Sequence, residues 1–214
     1  EKRGCVGSCI AKWQQISYQE FTEAMMAMLN DETAAWYKNY AQYLNTPVFA
    51  EGKKHQATTQ EEMESYIASL DDANDNMYVY SMGVSGEYGL NMPIVIFTKT
   101  DLSGAATLED AAALVTANNK VTVHYQAQIH GNEPAAGEAA LVTIGRLDTA
   151  YGDDLLENIN IYVIPRMNPD GSKDYTRAVP AGFNANRDML LLQTKEVQQH
   201  HYVYNLFMPE VSID

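Results

Sequence analysis

VTVHYQAQIHGNEPAAGEAALVTIGRL, residues 121–147, reads as strand, loop and helix. Val121, Val123 and Tyr125 recur with the two-residue period of a strand, which predicts strand over residues 121–129. His130-Gly131-Asn132-Glu133-Pro134 then breaks the pattern, because a strand interior tolerates neither that glycine nor that proline. The Ala-rich residues 135–147 predict a helix, and Pro134 suits its first turn, where no backbone N–H is needed. His130 and Glu133 therefore stand three residues apart at the carboxyl end of a sheet strand, where α/β folds place their sites. An imidazole and a carboxylate at that spacing can converge on one cation; the plainer reading of such a pair is a surface contact.

Working outward, INIYVIP at residues 159–165 is a second buried strand, and strand, helix, strand order predicts that the two strands run parallel. Upstream, Thr58 or Thr59 followed three residues later by glutamate announces a helix to Asp71, with Met63, Tyr66, Ile67 and Leu70 on one face. Residues 77–82 and 92–99 predict two strands joined by GVSGEYG, a hairpin. That run lacks the Gly-Lys-Ser/Thr ending of a phosphate loop and leads into a strand, so it reads as a turn. Residues 108–117 and 190–207 predict helices, Pro209 closes the second, and residues 210–214 begin a strand. The long stretch RMNPDGSKDYTRAVPAGFNANRD is rich in turn residues, and loops of that length are usually functional.

Residues 1–56 differ in kind and are expected to form a helical N-terminal segment ahead of a domain over 57–214. Met and aromatic residues at helical spacings predict helices over 18–29 and 32–44 as core packing, and residues 47–54 read as a linker. Cys5 and Cys9 fit either a small disulfide loop or two thiols. The formal net charge of −14 opposes binding to nucleic acid or anionic lipid, and no apolar run is long enough to span a membrane. Nothing bears on oligomeric state.

Arg177 and Arg187 stand out in this acidic chain. Guanidinium forks bind carboxylates in bidentate fashion and stabilise oxyanions; the alternative is that they neutralise Asp170, Asp174 or Asp188. HGNEPAAGEAAL, IPRMNPDG, a lone arginine and FNANRD, in that order and spacing, resemble the zinc carboxypeptidase family of the carboxypeptidase A type, in its bacterial form. The resemblance covers residues 58–214 and implies an α/β fold with a mixed, mostly parallel sheet flanked by helices. It implies a Zn²⁺ ion held by His130 and Glu133, and water activated on it to hydrolyse the C-terminal bond of peptides and proteins. It further implies Arg177 as the catalytic group that stabilises the oxyanion, Asn186 and Arg187 as the clamp on the substrate's terminal carboxylate, and the NPDG turn, residues 168–171, as a site-shaping segment. Glu138 reads as a helix residue with no chemical role.

In that family the third zinc ligand, a histidine, is expected just beyond Asp214, and the general base later still; the chain as given is expected to bind zinc weakly and catalyse nothing. His200 and His201, adjacent on a predicted helix, face two directions and suit packing or solvent, and His124 and His55 are no better placed. Two other functions share part of the pattern. One is an amidohydrolase of the succinylglutamate desuccinylase and aspartoacylase type, acting on N-acyl amino acids; the other is a non-catalytic module that binds peptide carboxylates. A secreted or periplasmic location fits the family resemblance.

Overall fold

The computed structural model describes residues 45–50, 53, 56–71 and 75–214, together with positions 20, 23 and 27, which are helical and exposed. The remainder of the helices predicted over 18–29 and 32–44, and Cys5 and Cys9, lie outside the described residues. The chain divides into two units, Glu1–Thr58 and Thr59–Asp214. In the first, Pro47–Phe49 makes a single 3-10 turn closed by a bond from Ala50 N to the Pro47 carbonyl at 3.1 Å.

The second unit is a five-stranded sheet with helices on both faces. Its elements are α1 (Gln60–Asp71), β1 (Met77–Val84), β2 (Asn91–Phe97), α2 (Leu108–Ala117), β3 (Val121–Gln126), α3 (Pro134–Leu147), α4 (Ala150–Leu156), β4 (Ile159–Ile164), α5 (Pro169–Asp174), α6 (Lys195–Phe207) and β5 (Val211–Ile213). The strand order is β1-β2-β4-β3-β5. β1 and β4 both pair antiparallel with β2, whereas β3 pairs parallel with β4 and β5, so the sheet is mixed.

Alternation along the central strands builds two cores. Ile94, Ile96, Tyr162 and Ile164 face α2 and α6, while Val95, Phe97, Ile161 and Val163 face α1, α3 and α4. β2 and β4 are apolar almost throughout because both of their faces are covered. At the far side of the sheet, Val211 and Ile213 of β5 are exposed.

Local chemistry sets the helix ends. Glu62 N donates to Thr59 Oγ1 and Thr59 N donates to Glu62 Oε2, the reciprocal cap that the Thr-x-x-Glu spacing predicts for α1. α2 has the same device in Thr107 and Asp110 and spans the residues expected of it. α6, expected from residue 190, starts at Lys195. Asp188 accepts from Gln193 N, Thr194 N and Thr194 Oγ1, and Leu192 takes a positive φ of 52°, so the backbone ahead of α6 folds onto a carboxylate. Two short helices, α4 and α5, carried no predictive pattern; each rests on a side chain that accepts a bond at its N-terminus, Thr149 for α4 and Asn168 for α5.

GVSGEYG connects β1 to β2, as expected of a turn, and is held from outside. The Asp170 carboxylate of α5, fully buried, accepts from Ser85 Oγ, from Glu87 N at 2.8 Å and from Tyr88 N at 3.3 Å. Gly86 N donates to Glu196 of α6 at 2.8 Å. Asp170→Ala strips three donors of one acceptor and is expected to cost about 3 kcal/mol, since orphaned buried donors cost about 1–3 kcal/mol each. A urea midpoint equal to that of the unaltered chain would show that the turn holds without this carboxylate.

Candidate functional site

β3 and β4 continue past their last paired residues as a two-stranded edge. Ala127 N donates to the Ile164 carbonyl at 2.9 Å, Met167 N to the Ala127 carbonyl at 2.9 Å and Asn168 N to the Gln128 carbonyl at 3.1 Å. Gln128 takes a positive φ of 53°, which turns the chain and delivers Ile129 and His130 beyond the sheet. Its side chain is tied at both ends. Nε2 donates to the Gly131 carbonyl and to Ser172 Oγ, each at 3.0 Å, and Oε1 accepts from the buried Arg166 Nε at 2.8 Å. Burial draws the Arg166 pKa down, and Glu138, Glu64 and Glu62 push it back up.

Gly131 lies against the backbone of α5, where a Cβ would fall 1.9 Å from the Gly171 carbonyl carbon. Gly137 of α3 leaves room for the Gln128 amide, 2.6 Å from where its Cβ would stand. The loop bearing His130 and Glu133 is thus wedged between α5, α3 and Arg166.

His130 is 4% exposed, and both of its ring nitrogens are engaged. Nε2 lies 3.2 Å from Asn184 Oδ1, and that same oxygen accepts from Asn186 N at 2.9 Å, which fixes which end of the Asn184 amide is oxygen. Nε2 must therefore carry the proton, and in the neutral ring Nδ1 presents a lone pair. Nδ1 faces Glu133 Oε2 at 3.1 Å. Two lone-pair atoms so close need a positive charge between or beside them, either a proton or a cation. Two bonds of about 2.0–2.2 Å to one zinc ion, meeting at the tetrahedral angle, would span about 3.3–3.6 Å. The donor pair stands slightly closer than that, at 3.1 Å, and a small opening of the exposed Glu133 side chain would admit the ion. Among the described residues no group of three or more His, Cys, Asp or Glu side chains joins at one point.

Arg177 donates to Glu133 Oε1, so the two residues expected to bind oxyanion and zinc are themselves an ion pair. The contact with His130 contributes most to holding the Glu133 carboxyl below the usual carboxylate range; partial desolvation opposes it, and Arg177 adds to it. His130, Glu133 and Asn186 share an open hollow of about 440 Å³, lined also by Tyr125, Ile213 and Asp214. Arg177 reaches that hollow only through Glu133. Arg187 is turned aside, its Nη1 donating to the Asn186 carbonyl at 2.8 Å.

Three of the five residues singled out in the sequence therefore line the hollow, Arg177 is paired with one of them, and Arg187 bonds the carbonyl of another. Gln128, Arg166 and Asn184 were missed. Asn184 was within reach, since FNANRD places it two residues before Asn186; the Gln128 and Arg166 contacts are 38 residues apart and carried no local signal.

Residues 63–200 match the model of the zinc carboxypeptidase family. Carboxypeptidase 2 of Trichophyton rubrum is 29% identical over 159 residues, covering 73% of this chain and 28% of that protein. A metallo-carboxypeptidase from Burkholderia cenocepacia superposes with a TM-score of 0.56 at 20% identity, over 71% of this chain and 39% of that one. A metallo-carboxypeptidase from Pseudomonas aeruginosa, solved in complex with (2-guanidinoethylmercapto)succinic acid, gives 0.53 at 19% identity, over 71% and 38%. These structures share the fold of the second unit. The chain spans less than a third of the length of the Trichophyton relative.

Proposed function

This chain belongs to the zinc carboxypeptidase family, and we propose that it is part of a zinc metallocarboxypeptidase that removes residues from the C-termini of peptides. The observation that carries the reading is the setting of His130: Asn184, oriented by the Asn186 backbone, takes the Nε2 proton and leaves Nδ1 facing Glu133. Bound there, with a third ligand expected to follow Asp214, a zinc ion supplies Lewis-acid polarisation of the scissile carbonyl and a nucleophile from water at neutral pH.

The chain's own residues do the rest. Asn184 keeps the proton on His130 Nε2, the role of a group that orients a metal-binding imidazole. Arg177 brings a guanidinium to the edge of the hollow, where it would hydrogen-bond the oxygen on which negative charge develops. Asn186 and Arg187 would take the substrate's terminal carboxylate, Arg187 giving up the Asn186 carbonyl for a bidentate anion. Recognition of a free carboxylate is what makes such a hydrolase act at chain ends.

Zinc titration of the 214-residue chain by calorimetry tests the metal pair. Glu133→Ala is expected to weaken the binding that His130 takes part in by ten-fold or more, and unchanged affinity in both Glu133→Ala and His130→Ala would sink the assignment. A peptide with a free C-terminus is expected to bind more tightly than its amide, with the difference abolished in Arg187→Ala. Equal affinity for acid and amide would rule out the carboxylate clamp.

A further inference from the structure

His124 of β3 and His200 of α6 meet between sheet and helix, 1% and 7% exposed. Their Nε2 atoms are 3.3 Å apart and their ring centroids 5.1 Å apart. These two distances separate two explanations. A good N–H hydrogen bond spans about 2.7–3.2 Å and is close to linear, which at this nitrogen separation would set the centroids about 5.6 Å apart. Imidazoles sharing one tetrahedral cation converge instead: bonds of about 2.0–2.1 Å put the nitrogens about 3.3–3.4 Å apart and the centroids about 5.2 Å apart. The observed geometry is the convergent one.

The surroundings fit a ligand pair as well. His124 Nδ1 lies 2.8 Å from Ser212 Oγ of β5, so with Nε2 as the ligating atom Nδ1–H donates to the hydroxyl and fixes the ring. The Tyr162 ring stacks on His124 at 4.9 Å, and its buried hydroxyl has no hydrogen-bond partner among the described residues. Tyr204 packs edge-on to His124 at 5.4 Å and against His200 at 6.1 Å. Burial keeps both imidazoles neutral at neutral pH, and Asp214 and His201 are the charged groups acting on His200. Successive side chains of a strand point to opposite faces. His124 packs on Tyr162 of the core under α2 and α6, whereas Tyr125 packs with the opposite core, and His124 does not line the hollow of His130.

We propose that His124 and His200 form a second cation site, separate from the His130 hollow, in which their Nε2 atoms bind one late first-row divalent metal ion. Phenol oxygen or water completes the coordination. Imidazole donors favour Cu²⁺ over Ni²⁺ and Zn²⁺.

Calorimetry and imidazole ¹⁵N spectra of the 214-residue chain, titrated with Zn²⁺ at neutral pH, test this. The expected result is that His124 and His200 Nε2 resonances move to metal-bound positions and that Cu²⁺ binds more tightly than Zn²⁺ at this site. His200→Leu should weaken that binding ten-fold or more and leave binding at His130 and Glu133 in place. Glu133→Ala should do the reverse, so failure of one site is distinguished from failure of the other. Unmoved His124 and His200 resonances at saturating Zn²⁺ in the unaltered chain would overturn the proposal, and that measurement does not depend on whether the leucine variant folds.

Discussion

Gly131→Ala should cost the fold about 3 kcal/mol or more and lower the thermal midpoint by roughly 6–12 °C. The cause is contact rather than conformation, since Gly131 is not among the residues with positive φ. A methyl there would lie 1.9 Å from the Gly171 carbonyl carbon, 2.2 Å from Ser172 N and 2.3 Å from the Gly171 oxygen. All three are backbone atoms of α5, so no rotamer change relieves them. Either α5 retreats and loosens the Asp170 clamp on the GVSGEYG turn, or the loop lifts and carries His130 off Asn184. Gly104→Ala is the control, because a Cβ there meets nothing within 4 Å; it should shift stability by no more than about 0.5 kcal/mol. Equal midpoints for the two variants would show that the loop is not wedged as described.

Stability should also fall steeply in mild acid. Burial lowers the pKa of His124 from 6.5 to about 3, helped by the charge of His200. Burial likewise lowers that of His200 to about 4, with Asp214 opposing and His201 assisting. In the folded chain both rings are neutral; in the unfolded chain both take up protons below pH 6.5. The unfolded state then binds more protons, so the contribution is complete above pH 6.5 and is lost as pH falls towards 4. At no more than about 1.4 kcal/mol per pH unit per group, the pair removes up to roughly 7 kcal/mol over that window. Urea midpoints of the metal-free chain between pH 7 and 4 measure this. Substituting His124 with Phe and His200 with Leu together should flatten the slope, and an equally steep slope in that double variant would place the acid sensitivity elsewhere.

Much of the architecture could be read from local pattern. The alternating Val121, Val123 and Tyr125 mark β3, the apolar runs mark β2 and β4, and Thr59 with Glu62 starts α1 where the spacing says it should. These features answer to neighbours within a turn or a strand period, so the residues that cause them are adjacent in sequence. The order of motifs from HGNE to FNANRD likewise carried the family and pointed to His130, Glu133, Arg177, Asn186 and Arg187.

What remained hidden depends on partners far along the chain. Asp188 delays α6 by gathering the backbone of Gln193 and Thr194, and no helical periodicity reports that. Gln128 reads as one more strand residue, yet it turns the chain because Arg166 and Ser172 hold its amide. His124 and His200, set aside in the sequence as a strand residue and half of a helical pair, come together across 76 positions. Periodicity and capping thus dictated the elements of this chain, since both act over a few residues, and the order of its motifs carried the family. Which nitrogen of His130 faces Glu133, and which histidines face one another, came from packing between β3, α6 and the loops, since a proton's place is set by the atom opposite it.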